Sequence, residues 1–422
     1  MTDGPAGIAI YVHLPWCLRK CHYCDFNSRP GGDAERARYL SALKTEIGRH
    51  AKMRGGLRIS TIFFGGGTPT IYEGEELAEV LAVIAWADLA SSAGAGDARA
   101  APPSNAVASR LPSEGPHEPR ERSERGEAGP LAHVPEITCE ANPETVTIAK
   151  LRTMREASVN RVSIGAQSFS ESELALLGRG HSPELTEAAV EAAREAGFEH
   201  LSLDLIYALP GQTVEDWRRT LLRALALEPE HLSAYGLELA DGTPLHARWE
   251  AGEIAPVADT EHLAMRELTR ELCAEAGLQR YEISNYARPG CECAHSITYW
   301  RNEPYIGFGA GAWSYLDGVR SANLREPAAY CAATEAGGSP REFAERLDPD
   351  DALAETLMMG LRMTAGLSLE ALELRFGEER LQRLLARAAP LVEIGLLEVR
   401  NGHLRLTPEG EPLHGEVCVR LA

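Results

Sequence analysis

The most informative stretch of this chain reads YVHLPWCLRKCHYCDF, residues 11–26. It places Cys17, Cys21 and Cys24 in the spacing C-x₃-C-x₂-C, directly after an apolar run with the length of a strand. Three thiolates so close together can wrap one compact centre of a soft metal. A tetrahedral zinc ion or a fully ligated cluster would take a fourth ligand, and none is adjacent. The spacing therefore favours a [4Fe–4S] cluster with one open iron over a zinc site or three core cysteines.

An open iron predicts a ligand from outside the protein. Such an iron can chelate the amino and carboxylate groups of S-adenosylmethionine (SAM), and an electron passed to the sulfonium then releases a 5′-deoxyadenosyl radical. The cofactor carries this chemistry, and the protein positions it. The three cysteines therefore predict two cofactors, the cluster and SAM, together with an electron donor for the cluster.

Composition excludes several classes of function. The 42 Lys and Arg against 62 Asp and Glu give a formal net charge of −20, so we expect no nucleic-acid partner. No apolar run is long enough for a membrane span, and residues 1–7 lack the pattern of an export signal. The nine cysteines are therefore expected to stay reduced, in the cytoplasm.

Short β-rich runs alternate with helical patterns through the first half of the chain, which predicts an α/β fold with a parallel sheet. The predicted strands cover residues 8–13, 58–64, 136–141, 161–167, 201–207 and 232–239. The predicted helices cover residues 34–54, 77–89, 147–157, 183–196 and 214–227. Six strands of this kind predict a partial (β/α)₆ barrel of the TIM type, with functional residues at the carboxyl ends of the strands.

Composition and pattern also divide the chain. We expect a core over residues 1–240, interrupted by a disordered insertion at 91–131 that is rich in Ala, Gly, Pro, Ser, Arg and Glu. An extension over residues 241–345 follows. Residues 346–422 predict three helices and a hairpin around Asn401-Gly402, a small α+β domain similar to a winged helix.

The cysteine stretch resembles the radical SAM superfamily, and within it the anaerobic coproporphyrinogen III oxidase family. The resemblance extends to FGGGTPT at residues 64–70, whose glycines let bare backbone approach SAM. It implies a SAM site of strand-end residues, with Tyr11 flanking the adenine, Glu140 and Asp204 accepting from hydroxyls, and Arg179 clamping a carboxylate. The implied SAM residues are Tyr11, Gly66, Gly67, Thr68, Glu140, Gln167, Arg179 and Asp204. Taken singly, each polar residue could instead cap a strand or helix.

The residues that follow Cys24, beginning with Asp25, separate two branches of that family. The oxidases continue the cysteine stretch to a further cysteine two residues after the third, whereas this chain continues Asp25-Phe26-Asn27-Ser28. That continuation is similar to the heme chaperone branch, which binds heme and hands it to acceptor proteins. The resemblance therefore implies a heme chaperone with heme and heme-acceptor proteins as partners. The alternative is an oxygen-independent coproporphyrinogen III dehydrogenase, and a radical SAM enzyme with another substrate is a third reading.

The same branch carries a histidine proposed as a heme ligand, and the matching segment here is ECAHSITYWRN, residues 292–302. His295 is therefore the implied heme ligand. Ser296 stands where relatives have Asn, and Trp313 stands where relatives commonly have His. A neutral histidine packed beside aromatic residues is the competing interpretation, and a small metal site of Cys291, Cys293 and His295 is another.

Overall fold

The computed structural model describes residues 7–54, 58–92 and 134–422. Its strands, in chain order, are β1 (Ile8–Leu14), β2 (Trp16–Cys17), β3 (Arg29–Pro30), β4 (Ile59–Gly66), β5 (Glu136–Ala141), β6 (Arg161–Gln167), β7 (His200–Tyr207), β8 (His231–Gly236), β9 (Gln279–Arg280), β10 (Asn285–Ala287), β11 (Tyr305–Phe308), β12 (Trp313–Leu316), β13 (Val319–Asn323), β14 (Arg341–Arg346), β15 (Leu367–Ser368), β16 (Leu397–Arg400) and β17 (His403–Leu406).

Helices follow most of the core strands and dominate the end of the chain. They are α1 (Asp33–Arg54), α2 (Gly74–Ser92), α3 (Ile148–Glu156), α4 (Glu171–Leu177), α5 (Pro183–Glu195), α6 (Val214–Leu225), α7 (Pro244–Glu250), α8 (Asp259–Glu275), α9 (Ala294–Trp300), α10 (Pro327–Glu335), α11 (Pro349–Gly360), α12 (Leu369–Phe376), α13 (Glu378–Glu393) and α14 (His414–Leu421). Among the described residues, no helix is both long and apolar enough to cross a membrane.

One large sheet organises the molecule, with strand order β14-β13-β12-β11-β1-β4-β5-β6-β7-β8-β10-β9 over 12 strands. Strands β1, β4, β5, β6, β7 and β8 pair in parallel, which confirms the predicted parallel α/β core. Strand β11 adds a further parallel neighbour to β1, and the strands beyond β8 and β11 pair antiparallel. These flanking strands come from the extension and were not predicted.

Apolar and polar side chains alternate along the parallel strands, so one face of the sheet is apolar and the other face, which lines the interior, is polar. In β7, Leu201, Leu203 and Leu205 belong to the main hydrophobic core, whereas Ser202 and Asp204 line an internal cavity. Because successive side chains of a strand point to opposite faces, the same division recurs in β5, β6 and β8. The sheet therefore encloses a polar interior that runs the length of its strands.

A second hydrophobic core forms at the end of the chain. It contains Leu357, Leu372, Leu391 and Leu404 from α11, α12, α13 and β17. The predicted hairpin is present as β16 and β17, and it gains β15 as a third strand and α14 as a final helix, neither of which was predicted. Helix α2 continues through Ser92, the second residue of the predicted insertion, and residues 93–131 lie outside the described residues.

Candidate cluster and SAM site

The three cysteines lie on a loop that a short strand pair closes. Cys17 ends β2, which pairs in parallel with β3 through Trp16–Arg29 and Cys17–Pro30. The backbone nitrogen of His22 donates to the carbonyl oxygen of Leu177 at 2.9 Å, and Nδ1 of the His22 ring lies 2.9 Å from the carbonyl oxygen of Leu176. These contacts fix the loop against the end of α4, and all three thiols remain half-buried.

Cationic donors point at two of the thiols. Nη1 of Arg179 donates to Sγ of Cys21 at 3.6 Å, and Nζ of Lys20 donates to Sγ of Cys24 at 3.7 Å. Burial raises the pKa of the Cys17 thiol, which favours its neutral form until a metal binds. Hydrogen bonds to sulfur ligands are one means by which a protein tunes an iron–sulfur centre.

The arrangement fits a cluster better than one metal ion. Among the described residues, no group of three or more His, Cys, Asp or Glu side chains is arranged to hold a single ion. A cubane binds each thiolate through a different iron atom, so its ligands need not converge on one point. The three thiols also line a cavity of about 120 Å³ together with Gly66, Gly67 and Thr68. A soft three-thiol set beside an open cavity is therefore suited to a [4Fe–4S] cluster with an added ligand.

The glycine-rich loop approaches the cysteine loop so closely that no side chain fits. A Cβ on Gly67 would lie 2.6 Å from the carbonyl oxygen of Trp16 and 2.8 Å from the carbonyl carbon of Pro15. Gly66 has φ +111°, and its Cβ would meet the ring of His13 at 2.4 Å. The backbone nitrogen of Gly67 donates to Leu14 at 2.8 Å. Only glycine therefore allows this loop to lie against the end of β1.

Two carboxyl groups stand in the cavity wall. Glu140 accepts from the Gly66 nitrogen at 3.2 Å, and Asp204 accepts from the Ser163 hydroxyl at 3.0 Å. Loss of water around Glu140, and secondarily the nearby Asp204 charge, raise the pKa of Glu140 to about 8. Desolvation also raises the pKa of Asp204. At neutral pH Glu140 therefore tends to be protonated, so it can both donate to and accept from a ligand hydroxyl.

Arg179 and Asn142 connect the strand ends. Nη2 of Arg179 donates to Oδ1 of Asn142 at 2.8 Å and to the Gly165 carbonyl at 2.7 Å. Asn142 in turn donates to Oγ1 of Thr68 at 3.0 Å. Sequence reasoning missed Asn142, although it follows Glu140 by two residues at the same strand end. Gln167, with φ 65°, lines the cavity beside them.

Tyr11 does not form part of the wall of this cavity. The hydroxyl of Tyr11 lies 3.0 Å from Nδ1 of His13, and its ring stacks near Phe63 with centroids 6.2 Å apart. Tyr11 also does not line the larger cavity that is described below. Its predicted contact with adenine therefore stays a prediction.

His295 is enclosed by hydrogen bonds. It is 1% exposed, with Nδ1 2.9 Å from Oγ1 of Thr61 and Nε2 2.9 Å from the hydroxyl of Tyr299. Burial lowers the pKa of its imidazole to about 3, so the ring is neutral. Its ring also stacks on Phe63 at 5.0 Å. Both ring nitrogens are thus occupied, and an iron can reach Nε2 only if Tyr299 moves.

The possible metal group of Cys291, Cys293 and His295 does not assemble. Cys293 is buried and accepts from the Ser296 hydroxyl at 3.3 Å, whereas the His295 ring faces Thr61. No single-ion group includes these residues within the described parts of the chain. Ser296 lines the larger cavity inside the barrel, whereas His295 does not.

A second, larger cavity continues from the first into the barrel. It has a volume of about 370 Å³, and six residues line both cavities: Tyr23, Phe26, Glu140, Ser163, Gln167 and Asp204. Asp25 is exposed and also lines the larger cavity. The site where SAM is predicted therefore opens directly onto the polar interior between the strands.

Comparison with known proteins identifies the family of the chain. A family model described as the radical SAM superfamily matches residues 11–224, and a second, the HemN C-terminal domain, matches residues 347–413. "Heme chaperone HemW" of Bacillus subtilis is 31% identical over 96% of this chain and 97% of its own length. The protein of the same name in Escherichia coli is 34% identical over 76% of this chain and 75% of its own length.

A solved structure has the same overall fold. Coproporphyrinogen III oxidase (HemN) from Escherichia coli superposes with a TM-score of 0.76, covering 98% of this chain and 90% of its own. The identity over this match is 22%, so the likeness establishes the fold and does not decide the activity.

Proposed function

The chain belongs to the radical SAM superfamily and, within it, to the family of heme chaperone HemW, and on this premise we propose that it binds heme and transfers it to acceptor proteins. The observation that carries this proposal is similarity over nearly the full length to proteins of that name, 31% identity over 96% of the chain in the Bacillus subtilis protein. Both the matched core and the matched C-terminal domain support it.

Within this function, Cys17, Cys21 and Cys24 would hold the [4Fe–4S] cluster. The open iron would receive SAM between the glycine-rich loop and the strand ends that carry Glu140 and Arg179. When bound, the cluster supplies the electron that cleaves the sulfonium of SAM. Arg179 would orient a carboxylate while its second nitrogen stays on Asn142, and Glu140 would hold a hydroxyl.

The residues after Cys24 support the chaperone over the oxidase. Phe26 stands two residues after Cys24, where the oxidase stretch has its fourth cysteine, and it is exposed and lines both cavities. Asp25 beside it is also exposed and lines the larger cavity, so an aromatic ring and a carboxylate take the place of a thiol there. We therefore expect no decarboxylation of coproporphyrinogen III.

An exposed aromatic face is the surface on which we place heme. Trp313 is 46% exposed and Phe343 40%, with ring centroids 5.7 Å apart, and the guanidinium of Arg320 lies 6.0 Å from the Trp313 ring centre. Aromatic rings suit a flat apolar macrocycle. The Arg320 guanidinium is paired with Glu345 and Glu355, so heme carboxylates would have to compete with these glutamates for it. On the neighbouring strand, Tyr305 contacts Tyr299 at 4.6 Å, and Tyr299 holds His295. Tyr305 and Tyr299 therefore connect this face to His295, and Tyr299 would have to move for the iron of a heme bound there to reach His295.

The remaining partners follow from the same proposal. Acceptor proteins would take heme from the chain, and a one-electron donor protein would reduce the cluster. All nine cysteines are free thiols, which supports a reducing compartment, and we place the protein in the cytoplasm.

Anaerobic titration with heme tests the proposal directly. Purified protein with a reconstituted cluster should give a Soret band with saturable binding, and incubation with coproporphyrinogen III and a reductant should give no protoporphyrinogen IX. Formation of protoporphyrinogen IX without heme binding would establish the dehydrogenase instead. Absence of both would leave a radical SAM enzyme with another substrate and would reject the proposal.

A further inference from the structure

The floor of the larger cavity is built from residues near the beginnings of the parallel strands. Thr138 lies in β5, Arg161 begins β6, Ser202 lies in β7 and His231 begins β8, and all four line the cavity. Strands rise about 3.3 Å per residue, so Arg161 lies roughly 20 Å before Gln167 along β6. Thr138 and Ser202 each lie two residues, or about 7 Å, before the predicted SAM residues Glu140 and Asp204 of the same strands.

Three polar atoms in the lining of this cavity have no hydrogen-bond partner among the described residues. They are Nη2 of Arg161, Oγ1 of Thr138 and Oδ1 of Asn285, in residues that are 3%, 1% and 4% exposed. All three residues line the cavity. Buried polar groups are almost always satisfied in proteins because leaving them unpaired is costly. Three unpaired atoms around one cavity indicate a polar ligand.

The charge of Arg161 is only partly neutralised. Its nearest acid, Glu136, is 3.7 Å away and accepts hydrogen bonds from the backbone nitrogens of Ala294 and His295, both at 2.9 Å. Nη1 of Arg161 donates to the carbonyl of Cys291 at 2.9 Å. Among the described residues that line the cavity, Arg161 is the one Arg or Lys.

The other groups at the floor leave this charge in place. Burial, and secondarily Arg161 itself, lower the pKa of His231 well below its usual value, so the ring is neutral. His231 is held between the Ser202 hydroxyl at 2.7 Å and the Tyr281 hydroxyl at 2.8 Å. Asp204 accepts from Ser163 higher in the barrel. The acidic residues Asp25, Glu140, Asp204 and Glu238 also line the cavity, so among its described lining residues Arg161 is the group that can hold an anion.

We propose that this floor binds a small hydroxy- or amino-carboxylate, with its carboxylate on Arg161 and its hydroxyl or amino group donating to Oδ1 of Asn285. A guanidinium presents parallel donors to a carboxylate, and the unpaired amide oxygen takes a donor. The Thr138 hydroxyl completes the set. The volume of about 370 Å³ is at the lower end of the range for small-molecule pockets, which indicates a ligand of metabolite size.

The far end of such a ligand would face the SAM residues. Glu140, Gln167 and Asp204 line both cavities, so a molecule anchored on Arg161 extends toward the predicted SAM site. The chain thereby gains a second ligand besides heme, held inside the barrel rather than on its surface. This inference does not depend on heme transfer.

Fluorine NMR with 4-fluoromandelate tests the site. This α-hydroxy-carboxylate is added to protein that holds its cluster and a saturating concentration of SAM, and the uncharged 4-fluoromandelamide is the matched probe. We expect saturable broadening and a shifted fluorine signal for the acid, with affinity for the amide lower by roughly tenfold or more. Equal binding of the two probes, or no binding of the acid to the SAM-saturated protein, would overturn the proposal.

Two variants locate the site. R161K should weaken binding of 4-fluoromandelate roughly tenfold, because lysine keeps the charge but loses the paired donors. T138V should weaken binding too while raising the melting temperature of the protein, because it removes an unpaired buried hydroxyl without changing shape. R155K is the control, since Arg155 bonds the Val159 carbonyl outside the cavity. Unchanged binding in T138V and R161K would contradict the assignment, and T138V keeps the test decisive should R161K fold poorly.

Discussion

Arg179 donates a hydrogen bond to Sγ of Cys21 at 3.6 Å while the same guanidinium holds Oδ1 of Asn142 at 2.8 Å. The residue predicted to clamp SAM is therefore also a neighbour of the cluster. Its Nε is buried without a partner, so the guanidinium retains a donor for a ligand. This single side chain links the thiol loop, the strand ends and the cavity.

Replacing Arg179 with lysine should separate these contacts. R179K keeps a positive charge but loses the fork that spans Cys21 and Asn142, so we expect SAM affinity to fall about tenfold or more. Iron content and the ultraviolet-visible spectrum of the cluster should stay close to those of the wild type. Equilibrium binding of SAM to the anaerobic protein measures the change, and unchanged affinity would remove Arg179 from the SAM site. R155K serves as the control.

Alanine in the glycine-rich loop should damage both stability and SAM binding. A Cβ on Gly67 would collide with backbone atoms of Trp16 and Pro15 at 2.6–2.8 Å, which cannot move as a flexible side chain would. We expect G67A to lower the free energy of unfolding by about 2–4 kcal/mol. G48A in helix α1 is the matched control, because a Cβ there meets nothing within 4 Å. G48A should be neutral or stabilise by about 0.5–1 kcal/mol. Chemical denaturation under anaerobic conditions compares them, and equal effects of the two changes would refute the packing argument.

Glu46 should make stability depend on pH. Burial raises the pKa of this carboxyl to about 7. Hydrogen bonds from Tyr330 at 2.6 Å, the Gly309 nitrogen at 2.9 Å and Asn323 at 2.7 Å act in the opposite direction and lower the pKa, but burial is the larger effect. Between pH 4.5 and 7 the folded protein keeps a proton that the unfolded chain releases, so the contribution of Glu46 to stability falls as pH rises and then levels off above pH 7.

The E46Q variant isolates this effect. The difference in free energy of unfolding between E46Q and wild type should change by roughly 1–3 kcal/mol between pH 5 and pH 8, in favour of E46Q at the higher pH. Denaturation curves at several pH values measure it. A difference that stays flat across this range would show that Glu46 ionises normally.

Tyr299 should compete with heme for His295. Y299F removes the hydroxyl that lies 2.9 Å from Nε2 and leaves the ring in place, so heme affinity should rise roughly two- to tenfold. H295A should weaken the Soret band, and H403A at the start of β17 is the histidine control. If H295A binds heme with unchanged spectrum and affinity, His295 is not the ligand. If W313A alone abolishes binding, the exposed aromatic face carries the affinity.

Local patterns predicted the core strands well. Strands β5 and β6 begin and end at the predicted residues 136–141 and 161–167, because β-rich runs there are bounded by clear turn signals. Strand β11 was not predicted, since its pairing of Tyr305 with Ala9 joins segments far apart in the chain and leaves no local signal. The strands β12, β13 and β14 depend on β11 in the same way.

The sequence predicted some residues of the site and missed others, and the difference has a physical reason. Motif residues such as Glu140 and Arg179 come together because parallel strands end at one edge. The polar floor had a signal that was not used: in β7, Ser202 and Asp204 alternate with leucines, which marks a polar interior. The enclosure of His295 depends on Thr61, a contact between distant segments that no local pattern contains.

Mössbauer spectroscopy of anaerobically reconstituted, ⁵⁷Fe-labelled protein tests the central claim most directly. We predict four irons per chain with one whose isomer shift and quadrupole splitting change when SAM is added, and no such cluster when Cys17, Cys21 and Cys24 are all alanine. A spectrum in which SAM alters no iron, or a cluster that survives the loss of all three thiols, would contradict a three-cysteine cluster with one open site.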